Sequence, residues 1–255
     1  MKKLIVVLVL AVCVSTFIAV AYTEFGVKGD TTPQKEEIDY FSKNNFECEL
    51  TENHDFVTYA PKGVDARYGL IFYVGTAIAP SYYDYLGKAL AKQGYLMVIP
   101  KGSNGFAYLM YTLEEKAFDT FDGVEFFVGG HSQGGGAAVR RAQENSDKVK
   151  GVVLYAPLCY GSDSIVESNL ATLLIEAKSD GVLTADMKAD AKTRLPEYRT
   201  EYMIDGCHMS FSTMDDDMTL KMFNDGPSSA LVKETQRELT AEYTLEFMQQ
   251  VIKRR

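Results

Sequence analysis

The segment from Val124 to Asn145 constrains this chain more than any other. Val124 to Val128 is a short apolar run that reads as a buried strand, and Ala137 to Asn145 reads as a helix. Between them stands Gly130-His131-Ser132-Gln133-Gly134, which fits the pattern G-x-S-x-G. A chain that turns so sharply from strand into helix forces its middle residue into a strained backbone conformation, and glycines two places to either side let strand and helix approach closely. The serine oxygen is then held out at the top of a sheet, with the next backbone N–H aimed at the same space. A glycine-rich turn can also carry an idle serine. The rest of the chain must therefore supply the base and the acid that a serine nucleophile needs.

The chain alternates strands with helices. Leu70 to Val74 is a second continuous apolar run. Ser81 is placed to cap a helix from Tyr82 to Gln93, Gly94 stops it, and Tyr95 to Ile99 follows as a strand, a βαβ unit whose strands should be parallel. Further strands are expected at Val152 to Tyr155, Thr172 to Ala177 and Arg199 to Ile204. Helices are expected at Phe106 to Phe118, Thr184 to Arg194 and Glu234 to Ile252, the last with Leu239, Tyr243, Phe247 and Val251 at four-residue spacing. Ahead of these, Phe46 to Leu50 and Asp55 to Ala60 read as an antiparallel pair, and Thr32-Pro33 opens a short helix reaching about Lys43. The fold class implied is α/β, a mostly parallel central sheet with helices on both faces, built from residues 46–255. Residues 22–45 are a spacer or cap. In open sheets of this kind ligands collect at the carboxyl ends of the strands.

Residues 1–21 stand apart. Lys2 and Lys3 precede an apolar run from Leu4, and Ala19-Val20-Ala21 fits a small-residue cleavage site, so the segment reads as a cleaved export signal or a retained membrane anchor. Either places the globular part outside the cytoplasm. The four cysteines, Cys13, Cys48, Cys159 and Cys207, are too sparse for a disulfide framework and lack zinc-ligand spacing. A net charge of −9 without a basic patch argues against a nucleic-acid partner.

Three positions past strand ends carry suitable chemistry: Ser132, then Asp180, then His208. The base must lie in hydrogen-bond reach of the serine, and a carboxylate must fix its tautomer. Of three histidines, His54 comes before the parallel sheet and His131 sits inside the elbow, which leaves His208. For the acid, Asp180 in a Ser-Asp-Gly turn is favoured over Asp163, which also follows a strand, while Asp205 is too close to His208 along the chain. The oxyanion donors expected are the N–H of Gln133 and that of Thr76 or Ala77. Tyr82, Tyr83, Tyr85, Tyr108 and Tyr111 are either a pocket lining or core. Asp215-Asp216-Asp217 reads as a solvated loop rather than a metal site.

Gly69 to Gly75, Leu90-Ala91-Lys92-Gln93-Gly94-Tyr95 and Gly129 to Gly135 resemble the α/β-hydrolase superfamily, closest to small dienelactone-hydrolase-like proteins that often carry an N-terminal membrane segment. Ser179-Asp180-Gly181 and Gly206-Cys207-His208 are similar to that family's acid and histidine loops. The resemblance implies a Ser132, Asp180, His208 triad and no cofactor. Dienelactone hydrolases proper use a cysteine nucleophile, so the serine here does not carry their substrate class over. The sequence thus predicts a serine hydrolase for a small ester or related acyl compound. Alternatives are a thioesterase or amidase with the same triad, or a cell-surface binding protein on the same scaffold.

Overall fold

A computed structural model describes residues 37–102, 111–223, 225 and 229–254. The expected export segment lies outside the described residues, as do 32–36 of the first predicted helix and 106–110 of the helix expected at Phe106 to Phe118.

Among the described residues, eight strands form one sheet: β1 (Cys48–Glu52), β2 (Phe56–Pro61), β3 (Tyr68–Tyr73), β4 (Leu96–Pro100), β5 (Glu125–His131), β6 (Val149–Tyr155), β7 (Ala171–Ala177) and β8 (Thr200–Ile204). Their order across the sheet is β1-β2-β4-β3-β5-β6-β7-β8. β1 pairs antiparallel with β2, and β2 with β4; every other pairing is parallel. The described helices are α1 (Asp84–Lys92), α2 (Tyr111–Thr120), α3 (Gln133–Glu144), α4 (Ala185–Thr193), α5 (Asp216–Phe223) and α6 (Ala230–Lys253).

The continuous apolar runs are explained by what covers the sheet. Every residue of β3 is buried, and successive side chains enter opposite layers. Leu70 and Phe72 join Leu86 and Leu90 of α1 and Phe247 and Val251 of α6. Ile71 and Tyr73 join Ala117 of α2 and Ala138 and Val139 of α3. Each large apolar side chain so buried contributes roughly 1.5–3 kcal/mol. At the sheet's edge β1 is mostly exposed and carries Glu49 and Glu52, charges that discourage pairing with another chain.

Four local expectations differ from the structure. Residues 37–43 form no helix. Tyr40 instead packs its ring on Tyr68 and Tyr95, and its hydroxyl donates to Gly94 O and accepts from Arg67 N–H, so tertiary anchors set the path of this stretch. Ser81 caps nothing: Pro80 opens a 3-10 turn, Pro80–Tyr83, and α1 begins only at Asp84. α3 starts at Gln133, four residues before Ala137, despite three glycines in its first turn. The Asp215-Asp216-Asp217 run is no open loop, because Asp216 opens α5 and Asp217 N–H bonds the Asp215 carboxylate at 2.9 Å.

Candidate active site

Ser132 stands between β5 and α3 at φ 54° and ψ −125°, in the left-handed region that a side chain rarely adopts. Such a conformation costs on the order of 1–3 kcal/mol and persists where neighbours enforce it. Ser132 N–H donates to Tyr155 O at 2.9 Å, and Ser132 O accepts from Leu158 N–H at 2.9 Å, which ties the elbow to the end of β6. The flanking glycines are obligatory: a Cβ on Gly130 would strike the Gly134 carbonyl, and one on Gly134 would strike the carbonyls of Tyr73 and Val74.

Asp180 lies in the turn after β7. One carboxylate oxygen accepts from the N–H groups of Val182 at 2.9 Å and Leu183 at 2.8 Å. The other faces His208 Nδ1 at 3.0 Å, with Lys188 Nζ 3.6 Å away. Both side chains of the Asp180–His208 pair are buried. Burial works against the charge on Asp180, but the His208 bond and charge, the Leu183 N–H and Lys188 outweigh it and hold the carboxyl at about 2. With a carboxylate accepting at Nδ1, the neutral His208 ring carries its proton there and presents Nε2 as a base.

His208 Nε2 is buried and has no hydrogen-bond partner. The structure thus joins acid and histidine, while Ser132 Oγ makes no hydrogen bond to Nε2. The other candidates stand elsewhere. Asp163 contributes only backbone atoms to hydrogen bonds, Asp205 pairs with Lys178 at the surface, and the His54 side chain is exposed.

The two expected oxyanion residues are in contact: Thr76 Oγ1 donates to Gln133 Oε1 at 2.9 Å. Gln133 is the first residue of α3, so its N–H has no intrahelical acceptor. Thr76 lies in a tight turn closed by Ile78 N–H on Gly75 O at 3.2 Å, with Ala77 at φ 57°.

A model of the alpha/beta hydrolase family matches residues 69–216, more than half of the chain and a span that holds Thr76, Ser132, Gln133, Asp180 and His208. The chain belongs to the alpha/beta hydrolase family. No curated protein matches it.

Several residues around this site have roles that the sequence did not assign. Tyr83 is fully buried; its hydroxyl accepts from Gly75 N–H at 3.2 Å and lies 2.8 Å from His131 Nδ1. The His131 ring sits 4.7 Å from that of His208. Burial, reinforced by His208, holds the His131 imidazole well below its ordinary range and hence neutral, against the pull of the Asp180 carboxylate. Of the tyrosine stripe, Tyr83 is core and Tyr85, partly buried, packs against it and donates to Phe211 O at 2.9 Å; Tyr108 lies outside the described residues. Gln236 of α6 accepts from Cys207 N–H and donates to Cys207 O, which fixes the residue before His208. Asp225 accepts from Gly181 and Met209 N–H groups.

A cavity of about 840 Å³ opens beside the turn that holds Thr76 and Ala77, with Leu50, Val57, Val74, Ala77, Ile78 and Pro100 among its walls. Of its polar side chains, Tyr59 donates to Asp84 at 2.6 Å and Lys101 donates to Glu52 at 2.6 Å. Among the described residues, no disulfide joins Cys48, Cys159 or Cys207. Among the described residues, no cluster of His, Cys, Asp or Glu is arranged to hold a metal ion.

Proposed function

We propose that this hydrolase cleaves a small ester or related acyl compound through a covalent acyl-enzyme. Ser132 Oγ attacks the carbonyl carbon, and His208 Nε2 takes its proton. Asp180 holds the ring's tautomer and stabilises the imidazolium. The N–H groups of Gln133 and Thr76 receive the charge that develops on the carbonyl oxygen, a contribution of roughly 10²–10³ in rate per donor. The tetrahedral intermediate collapses, the leaving alcohol takes the proton from His208, and water then releases the acid by the same route. The cavity beside Ala77, walled by Leu50, Val57, Val74 and Ile78 among others, gives an apolar acyl group room. No cofactor enters this scheme.

The observations that support the reading are the strained backbone of Ser132, the buried Asp180–His208 pair with an unpartnered Nε2, and the ring of His131, the residue before Ser132, 4.7 Å from that of His208. The same triad would serve thioester or amide cleavage. The missing Ser132–His208 bond is what a non-catalytic binding protein on this scaffold would also have. Fluorophosphonate labelling separates the two classes, because only an activated Ser132 labels. Ser132→Ala should abolish labelling and lower ester turnover by about 10⁶ with the fold intact. More than a few per cent residual turnover would refute the assignment.

We also propose that residues 1–21 direct the chain out of the cytoplasm, from Lys2-Lys3, the apolar run and Ala19-Val20-Ala21. N-terminal sequencing of the native protein should read Tyr22 in a soluble extracytoplasmic form, or Met1 in a form that resists high-salt washing of membranes. Met1 on a freely soluble cytoplasmic protein would rule both out.

A further inference from the structure

Asp180 and His208 are 28 residues apart and lie on separate loops, and their contact depends on those loops holding register. β7 and β8 are neighbours, with Ala177 opposite Ile204. Backbone pairing continues just past the strand ends, through Lys178 N–H on Ile204 O and Ser179 N–H on Gly206 O, both at 2.9 Å. There the ladder stops, one residue short of Asp180 and two short of His208.

We propose that Asp225 is the positioning residue that takes over where the ladder ends. This rests on the hydrolase reading above. One Asp225 carboxylate oxygen accepts from Gly181 N–H at 2.8 Å, and the other accepts from Met209 N–H at 2.7 Å. Gly181 directly follows Asp180, and Met209 directly follows His208. A single carboxylate therefore fixes the backbone on the far side of both members of the pair. The Asp225 side chain is 1% exposed, and its partners are backbone N–H groups rather than a cation. Burying a carboxylate this way is costly unless both oxygens are engaged by short, charge-assisted bonds. An amide of the same shape has one accepting oxygen and would push its NH₂ against the second N–H. With Asp180 holding Val182 and Leu183, three successive N–H groups of the acid turn end on two carboxylates.

The test is a double-mutant cycle on the full chain. Asp225→Asn should lower kcat by about 100-fold, the scale of a misplaced catalytic contact, with KM unchanged. In an Asp180→Ala background the same change should have almost no further effect, because the contact it positions is already gone. An equal loss in both backgrounds, or full kcat in the single variant, overturns the proposal. If Asp225→Asn does not fold, amide exchange in the wild type decides. The Gly181 and Met209 amides should exchange only through global unfolding, and exchange at loop rates would refute the clasp. Turnover that survives Ser132→Ala would instead refute the hydrolase reading, so the two failures are distinguishable.

Discussion

Asp180 and Glu114 are both carboxyls buried in this protein, and they have opposite fates. Glu114 of α2 accepts one hydrogen bond, from Tyr73 OH at 2.6 Å, and its other oxygen is buried without a partner. Burial pushes it up to about 7, although the Tyr73 bond and the Arg141 charge pull the other way. Asp180 is held at about 2. Burial acts upward on both, so the difference lies in the donors. Asp180 sits in a loop, where the N–H groups of Val182 and Leu183 are not committed to a ladder. Glu114 lies between a helix and a strand whose backbone N–H groups already serve those elements. A carboxylate that must stay charged is cheapest to build past the end of a strand, where free backbone donors are available. Asp180, the acid proposed for this site, is found there.

The largest effect expected from breaking that arrangement is on turnover. Asp180→Asn should cut kcat by about 10⁴, since the amide would hold the wrong histidine tautomer, as in the chymotrypsin-type case. Asp163→Asn should leave kcat unchanged, because no side-chain bond runs from Asp163 to the histidine. Steady-state kinetics on one ester checks both, and a large loss in the Asp163 variant alone would move the acid to the loop after β6. The same bonds carry a stability signature. The Asp180 carboxyl is lowered from 3.8 to about 2, so its stabilisation is present above pH 3.8 and is lost as pH falls through about 2.

The scaffold was largely legible in the sequence because its signals are local. Apolar runs such as Leu70 to Val74 need only two covered faces, and the G-x-S-x-G spacing follows from one tight turn. The mostly parallel sheet and the α/β class came from strand and helix alternation. What escaped depends on distant partners. Residues 37–43 follow Tyr40 into an aromatic cluster rather than a helical repeat. Asp225 and Gln236 look like an ordinary loop acid and an ordinary helix amide until the loops they hold are in place. His131 gave half a signal. Its place inside the elbow argued against a role as base, but nothing local revealed that Tyr83 and His208 enclose it.

A smaller effect, on stability alone, should come from Glu114. The unfolded chain gives up this proton near 4.5, whereas the folded protein keeps it until about 7. Between those values the native state binds more protons than the unfolded state, so stability falls as pH rises and levels off above pH 7. The penalty accumulated above pH 7 is on the order of 3 kcal/mol, from a shift of that size at about 1.36 kcal/mol per unit. Glu114→Gln keeps the shape and an oxygen for Tyr73 OH while removing the titration. The variant should match the wild type near pH 4.5 and exceed it at pH 8, with Tm higher there by roughly 5–10 °C for a chain of this size. Thermal or urea unfolding at the two pH values measures this. The deciding quantity is the pH 8 minus pH 4.5 difference between variant and wild type. If that difference is zero, Glu114 titrates as a solvated glutamate would, and the contrast with Asp180 loses its basis.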